Sequence, residues 1–189
     1  MQEYPAGGVP RRRSFVERMI GAALLDVSVY EEVEHDQTAT GQAAGVVAIV
    51  AVCAAIGSMG SHSAKGPIGA VIAALLGWLI MAALTYVIGT KMFGGTADMG
   101  EMLRTLGFSR APGVIALIGF IPLLGWLAVA VVSVWQLVTA VVAIRQALDF
   151  DTGKAVATAL LAWLVVVMVT VGIMILIGGA LAMGSLLAR

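Results

Sequence analysis

Residues 111–144 read APGVIALIGFIPLLGWLAVAVVSVWQLVTAVVAI, an unbroken run without Asp, Glu, Lys or Arg. As one α-helix this run would be about 51 Å long, against a hydrocarbon core of about 30 Å. It must therefore bend or break. The place is Gly119-Phe120-Ile121-Pro122-Leu123-Leu124-Gly125-Trp126, where Pro122 removes a backbone donor and clashes with the preceding turn, and Gly119 and Gly125 ease a reversal. The run thus divides into a short third segment, about 111–121, and a fourth span, about 123–145. The third is too short to cross comfortably, so it is either a thin-membrane span or a re-entrant arm buried among the others.

Working outward, residues 37–64, 66–90 and 155–188 are equally free of charged side chains. A charge at the bilayer centre costs roughly 2.5–3.5 kcal/mol on insertion scales, so this exclusion is what a membrane demands. With 60% hydrophobic and 12% charged residues and a mean hydropathy of +1.01, the chain reads as an all-α membrane protein of five hydrophobic helical segments. The first span is placed at about 38–58, the second at about 67–90 with Pro67 in its first turn, and the last at about 155–178. The first span lies some 40 residues in, behind an acidic segment, so a cleaved signal peptide is not expected.

Three regions follow. Residues 1–14, with Pro5, Pro10 and the triplet Arg11-Arg12-Arg13, read as a disordered basic arm. Residues 15–36 carry an amphipathic helix, with Phe15, Val16, Met19, Ile20, Ala23, Leu24 and Val27 at intervals of three and four. A short acidic helix follows, and Ser28 with Glu31 reads as its capping box. The amphipathic helix lies on the membrane surface or packs on the protein's own loops. Residues 37–189 form the transmembrane domain. Within it, Asp98 and Glu101 cap a second surface helix across the loop 91–110. Either Asp36 or Thr38 caps the first span, and Asp151 the last.

Small residues mark helix-packing faces, namely Gly41 and Gly45 in the first span and Gly69, Ala73 and Gly77 in the second. Arg11, Arg12, Arg13, Arg18, Arg104, Arg145 and Lys154 are expected to anchor at lipid headgroups, with Arg145 paired to Asp149. With five crossings and a cytoplasmic N-terminus, nine of the eleven Lys and Arg residues lie inside and only Lys65 and Arg189 outside. The C-terminus is then external.

Catalysis has no constellation to build on. His35 and His62 lie in different polar segments without a partner at ligand spacing, and Cys53 is the single cysteine. Neither cofactor nor metal nor catalytic residue is expected. A net charge of zero, with no basic stripe interleaved with aromatics, excludes a nucleic-acid partner. The polar groups within the membrane are Ser133, Gln136 and Thr139 on one face of the fourth span, with Thr85 and Thr170 on other spans. They read as packing hydrogen bonds or as the lining of a solute path.

The run Val29-Tyr30-Glu31-Glu32-Val33-Glu34-His35-Asp36-Gln37-Thr38 before the first span resembles that of bacterial Yip1-domain membrane proteins. So do Lys91-Met92-Phe93-Gly94-Gly95 leading into Leu103-Arg104-Thr105-Leu106-Gly107-Phe108-Ser109-Arg110-Ala111-Pro112, the Ile121-Pro122 break, and Trp135 through Arg145 to Lys154-Ala155. The resemblance covers roughly residues 15–178. It implies a five-helix membrane domain with a cytoplasmic N-terminus. Eukaryotic relatives bind Rab-type GTPases and one another during vesicle trafficking, but GTPase binding is not carried over to this chain. The resulting expectation is a non-enzymatic scaffold in a bacterial plasma membrane, contacting lipids and associating with itself or another membrane protein. The alternative is a small-solute channel along the Gln136 face and the Pro122 break.

Overall fold

A computed structural model describes residues 12–58, 66–121 and 123–187. The regular elements among the described residues are all helices, in the order α1 (Phe15–Ala23), α2 (Val27–His35), α3 (Thr40–Gly57), α4 (Pro67–Met92), α5 (Met99–Phe108), a 3₁₀ segment (Ala111–Phe120), α6 (Leu124–Ala147) and α7 (Thr152–Leu187). Four helices are long and apolar enough to cross a membrane: Gln37–Gly57, Pro67–Met92, Leu124–Ala147 and Thr152–Gly178. The expected fifth segment is the ten-residue 3₁₀ helix, too short to stand with these four. The basic arm lies outside the described residues except for Arg12, Arg13 and Ser14.

The polar helices start where side chains can satisfy free backbone donors. Ser14 and Glu17 form a reciprocal capping box at α1, as do Asp98 and Glu101 at α5. The expected Ser28–Glu31 box does not form. Asp26 instead accepts from the Ser28 backbone N–H at 3.0 Å, and α2 begins at Val27. A carboxylate two residues upstream takes the Ser28 N–H that the Glu31 side chain would have received, and the Ser28 hydroxyl donates to Asp26 as well. Asp36 caps a 3₁₀ turn, Gln37–Ala39, that leads into α3.

The third hydrophobic segment runs beside α3 in the same direction. A Cβ added at Gly107 would lie 2.6 Å from Ala43 Cβ, one at Gly113 2.4 Å from Val50 Cγ1, and one at Gly119 3.0 Å from the Gly57 carbonyl oxygen. From Gly113 to Gly119 the segment therefore keeps level with Val50 to Gly57. A 3₁₀ rise of about 2.0 Å per residue, against about 1.5 Å in an α-helix, lets fewer residues cover that distance.

The reversal expected at 119–125 is present, though Pro122 itself lies outside the described residues. Ile121 is extended and Leu123 has φ 66°, an uncommon conformation for a side chain of its size. A Cβ at Gly125 would fall 2.2 Å from the Gly119 carbonyl oxygen, so the returning backbone passes almost in contact with the outgoing one. From there α6 runs back antiparallel and packs on the 3₁₀ segment along its length.

The packing faces expected from small residues are placed differently. Gly41, Gly69, Ala73 and Gly77 are exposed. A Cβ at Gly41 or Gly77 would meet nothing, and one at Gly45 would make only an ordinary contact with Phe15 at 3.9 Å. Close approach happens where single glycines on separate segments meet. Gly57→Ala would put a methyl 1.9 Å from the Ala116 carbonyl oxygen. Overpacking of this kind costs about 1–3 kcal/mol, so a clear fall in melting temperature is expected in detergent. Gly41→Ala, with open space at the same atom, is expected to be neutral or slightly stabilising.

Candidate functional site

Two features stand apart from the apolar bundle: a charged cap at one end and a cavity beneath it. The cap consists of α1, α2, α5 and the turn between α6 and α7. Its centre is Arg18, 1% exposed. The guanidinium donates to Glu32 Oε1 at 2.7 and 3.1 Å, to Asp36 Oδ2 at 2.8 Å and to Gln42 Oε1 at 3.0 Å. One side chain thereby joins α1 to α2, to the turn before α3 and to α3 itself. Arg13 adds Glu32 Oε2 at 3.0 Å and Ser28 Oγ at 2.8 Å, and Arg12 pairs with Asp36 Oδ1 at 2.6 Å.

These contacts resolve how α1 sits. Arg18 turns inward together with Phe15, Met19 and Ala22, while Val16, Ile20 and Leu24, one turn apart, are 55–71% exposed. The Trp135 indole on α6 donates to the Ala23 carbonyl at 2.7 Å, tying α1 to a membrane-spanning helix. Packing on the protein's own elements thus holds α1, and its outward stripe is apolar.

Of the cations expected at headgroups, Arg18 and Arg104 are buried instead. Arg104, 5% exposed, donates to the Val33 and Glu34 carbonyls at the end of α2. There it meets free carbonyls and the negative end of the helix dipole. The periodicity that set Arg104 apart from the apolar face of α5 could not reveal that α2 covers it. Arg11 lies outside the described residues. Arg145 bonds Gln146 rather than Asp149, which accepts from Thr96 at 2.8 Å, and Lys154 stands 5.5 Å over the Phe150 ring.

The cap also encloses a carboxyl with no bond to it. Glu34 is 8% exposed, and its side chain has no hydrogen-bond or ion-pair partner among the described residues. Burial pushes its pKa up to about 7. The charge of His35 opposes this, while Glu101, Asp149 and Glu31 add to it. Asp36 goes the other way: burial favours its neutral form, but bonds from Thr38 and Arg18 and the charge of Arg12 hold it at about 2.

The cavity, about 550 Å³, lies between α3, α4, α6 and α7, below the end of α5. Most of its wall is apolar. Ser109, Arg110, Ser133 and Gln136 supply the polar exceptions. Gln136 passes Gly113 so closely that a Cβ there would fall 2.2 Å from its amide nitrogen. Ser133 shares this cavity, but the remaining members of the expected polar face go elsewhere. Thr139 is fully buried and donates to the Ser109 carbonyl at 2.8 Å, joining α6 to the end of α5. Thr85, Ser133 and Thr170 each donate to a carbonyl of their own helix. Arg110, the cation at the cavity, is the one that sequence reasoning counted only as a charge. Its position directly before the third hydrophobic segment was the available signal.

Among the described residues no three of His, Cys, Asp and Glu are grouped to hold a metal. His35 is exposed and bonds the Glu31 carbonyl in its own helix. His62 lies outside the described residues.

Long apolar helices with satisfied backbones, closed at one end by a paired polar cap, define an integral helical membrane protein. The chain belongs to the Yip1 family, whose Yip1 domain matches residues 28–185. Helix α1, with Arg18, precedes the matched region, but Glu32, Asp36 and Gln42, which receive it, lie inside. No curated protein and no solved structure matches the chain.

Two outcomes follow from the cap. Arg18→Met leaves Glu32 and Asp36 without their buried cation and is expected to destabilise the protein by about 3 kcal/mol, read as a melting shift in detergent. For Glu34 the folded-state pKa lies above the ordinary 4.5. Its contribution to stability is therefore present at low pH and lost as pH rises toward and through about 7. Glu34→Gln is expected to melt higher than the native protein at pH 8, with the gap narrowing toward pH 5.

Proposed function

We propose that this Yip1-family protein is a non-enzymatic scaffold that organises membrane or recruits another membrane protein through homo- or hetero-oligomers. The reading places it in a bacterial plasma membrane, with the charged cap cytoplasmic and the C-terminus outside. Supporting that orientation, Arg12, Arg13, Arg18, Lys91, Arg104, Arg110, Arg145 and Lys154 all belong to the cap end, as cytoplasmic enrichment of Lys and Arg requires.

The observation that carries the proposal is the nakedness of α7. Only 6% of its most apolar stretch is buried within the protein, against 22–28% for the other three long helices. Met168, Met174, Ile175 and Leu176 are all more than 60% exposed. Lipid tails are as apolar as these side chains, so helix association in a bilayer depends on close packing and bonding rather than on hydrophobicity. The outward Gly69, Ala73 and Gly77 of α4 add a surface that a second helix can approach closely. The cap supplies a stiff polar end for contacts outside the bilayer. The solute-channel alternative gains no comparable support, because only Ser133 joins Gln136 at the cavity, while the hydroxyls of Thr85, Thr139 and Thr170 are spent on carbonyls elsewhere.

Cysteine crosslinking in native membranes tests the proposal, starting from a Cys53→Ala background. Met174→Cys, on the exposed face of α7, is expected to give protein–protein adducts with a bifunctional maleimide. Ala162→Cys, fully buried on the same helix, is expected to give none. Recovery of monomer alone from Met174→Cys and from further positions around α7 would count against the scaffold.

A further inference from the structure

Arg110 has neither an ion pair nor a side-chain hydrogen bond among the described residues. It is half-buried at the cavity, directly before the third hydrophobic segment. Its backbone is held at both sides: its N–H donates to Gly107, and its carbonyl accepts from Gly113 at 2.8 Å. Among the carboxylates of the cap, Glu34 is unbonded but makes no ion pair with Arg110, and the others are engaged elsewhere. Glu32 and Asp36 serve Arg13, Arg18 and Arg12, Asp98 and Glu101 cap α5, Asp149 takes Thr96, and Asp151 caps α7. The Gln136 amide at the same cavity likewise has no side-chain partner among the described residues. A cation and an amide thus face one cavity with their bonding capacity unused. Such groups are costly in a low-dielectric interior unless a ligand completes them.

We propose that this cavity binds an anionic phospholipid, with the headgroup phosphate on Arg110, the Gln136 amide beside it, and part of an acyl chain against the apolar walls. Three observations select that occupant. Guanidinium offers paired donors that match phosphate oxygens, and an unpaired cation favours a headgroup of net negative charge over one that brings its own cation. The remaining walls are apolar: Val50, Ala51, Ala74, Met81, Ala140 and Val166 suit a hydrocarbon chain and give nothing to a hydrated free anion. The lining also includes Leu137 and Trp163, both more than half exposed on membrane-spanning helices. The cavity is therefore continuous with the surrounding bilayer, from which a lipid can enter sideways. If each chain atom needs on the order of the 30 Å³ of a water molecule, the volume accommodates the phosphate, the glycerol and part of one chain. The rest extends into the membrane. This site does not depend on the scaffold reading, because it concerns a ligand within one chain.

The test is lipid retention. The full chain is reconstituted in vesicles of phosphatidylcholine and phosphatidylglycerol with matched acyl chains and extracted in mild detergent. Retained lipid is then identified by native mass spectrometry. The native protein is expected to keep phosphatidylglycerol in preference to phosphatidylcholine. Arg110→Gln is expected to lower that retention by roughly tenfold or more, Arg110→Lys to restore part of it, and Arg145→Gln, a cation away from the cavity, to leave it unchanged. Equal retention of the two lipids by the native protein overturns the proposal without recourse to any variant. Undiminished retention in a folded Arg110→Gln also overturns it. Displacement of phosphatidylglycerol by millimolar inorganic phosphate would assign the cavity to a free anion instead, and that too overturns it.

Discussion

Hydrocarbon offers no hydrogen bond to a peptide group, and the course of residues 111–123 follows from that constraint. A ten-residue segment is too short to cross as an α-helix, and its irregular exit exposes carbonyls that lipid cannot satisfy. The structure sets the segment between α3 and α6 and lengthens it into a 3₁₀ helix, so that it keeps level with α3 as far as Gly57. Within the segment only Ala111, Pro112 and Gly113 are buried, and the close passages of Gly57, Gly119 and Gly125 let the remainder lie flush against its neighbours. A side chain on any of these glycines would separate the three backbones and open the reversal. The order of α3, the 3₁₀ segment and α6 then determines where α4 and α7 can pack, because only the outer faces of this central layer remain.

The cap obeys the same rule from the other direction. In a soluble helix the charged face looks to water, and α1 has the periodicity of such a helix. Here Arg18 points inward to two carboxylates and an amide, and Val16, Ile20 and Leu24 point outward. Beside a bilayer such an exposed apolar stripe is reasonable, because the outer surroundings at that level are themselves partly apolar. A buried ion pair contributes little net stability in comparison with a well-packed apolar substitute. Its geometric demand is high, however. Arg18 meets its bonds only when α1, α2 and the start of α3 are correctly placed together.

Much of this architecture was legible in the chain. The charge-free runs mark the four long helices because length and charge exclusion are local properties, and Gly119 through Gly125 mark the reversal because backbone freedom is local too. The capping box at Asp98 needed only neighbours three residues apart. What could not be read was which polar face would find a partner. Arg18 bonds groups 14 to 24 residues away and Arg104 bonds carbonyls 70 and 71 residues away, so both resemble interfacial anchors when seen alone. The small-residue pattern of Gly69, Ala73 and Gly77, exposed within one chain, left its partner unread for a related reason. Its spacing defines a face but not what that face meets, whereas the tight contacts at Gly57, Gly107 and Gly119 come from isolated glycines with no pattern of their own.

The cations at the cap end divide by what satisfies them. Arg12, Arg13 and Arg18 meet carboxylates, Arg104 meets the carbonyls that end α2, Arg145 meets an amide, and Lys154 meets an aromatic face. Each of these has a structural reason that is complete within the chain, and Lys91 stands exposed at the end of α4, where it needs none. Arg110 has no such reason, and it is also the residue at which the chain passes from the cap into the central layer. A charge in that position was not needed to terminate α5, where Ser109 already bonds the Leu106 carbonyl and the turn closes through backbone groups. Folding alone therefore gives no account of a guanidinium there. The surrounding bilayer is the nearest source of the phosphate that such a group would hold.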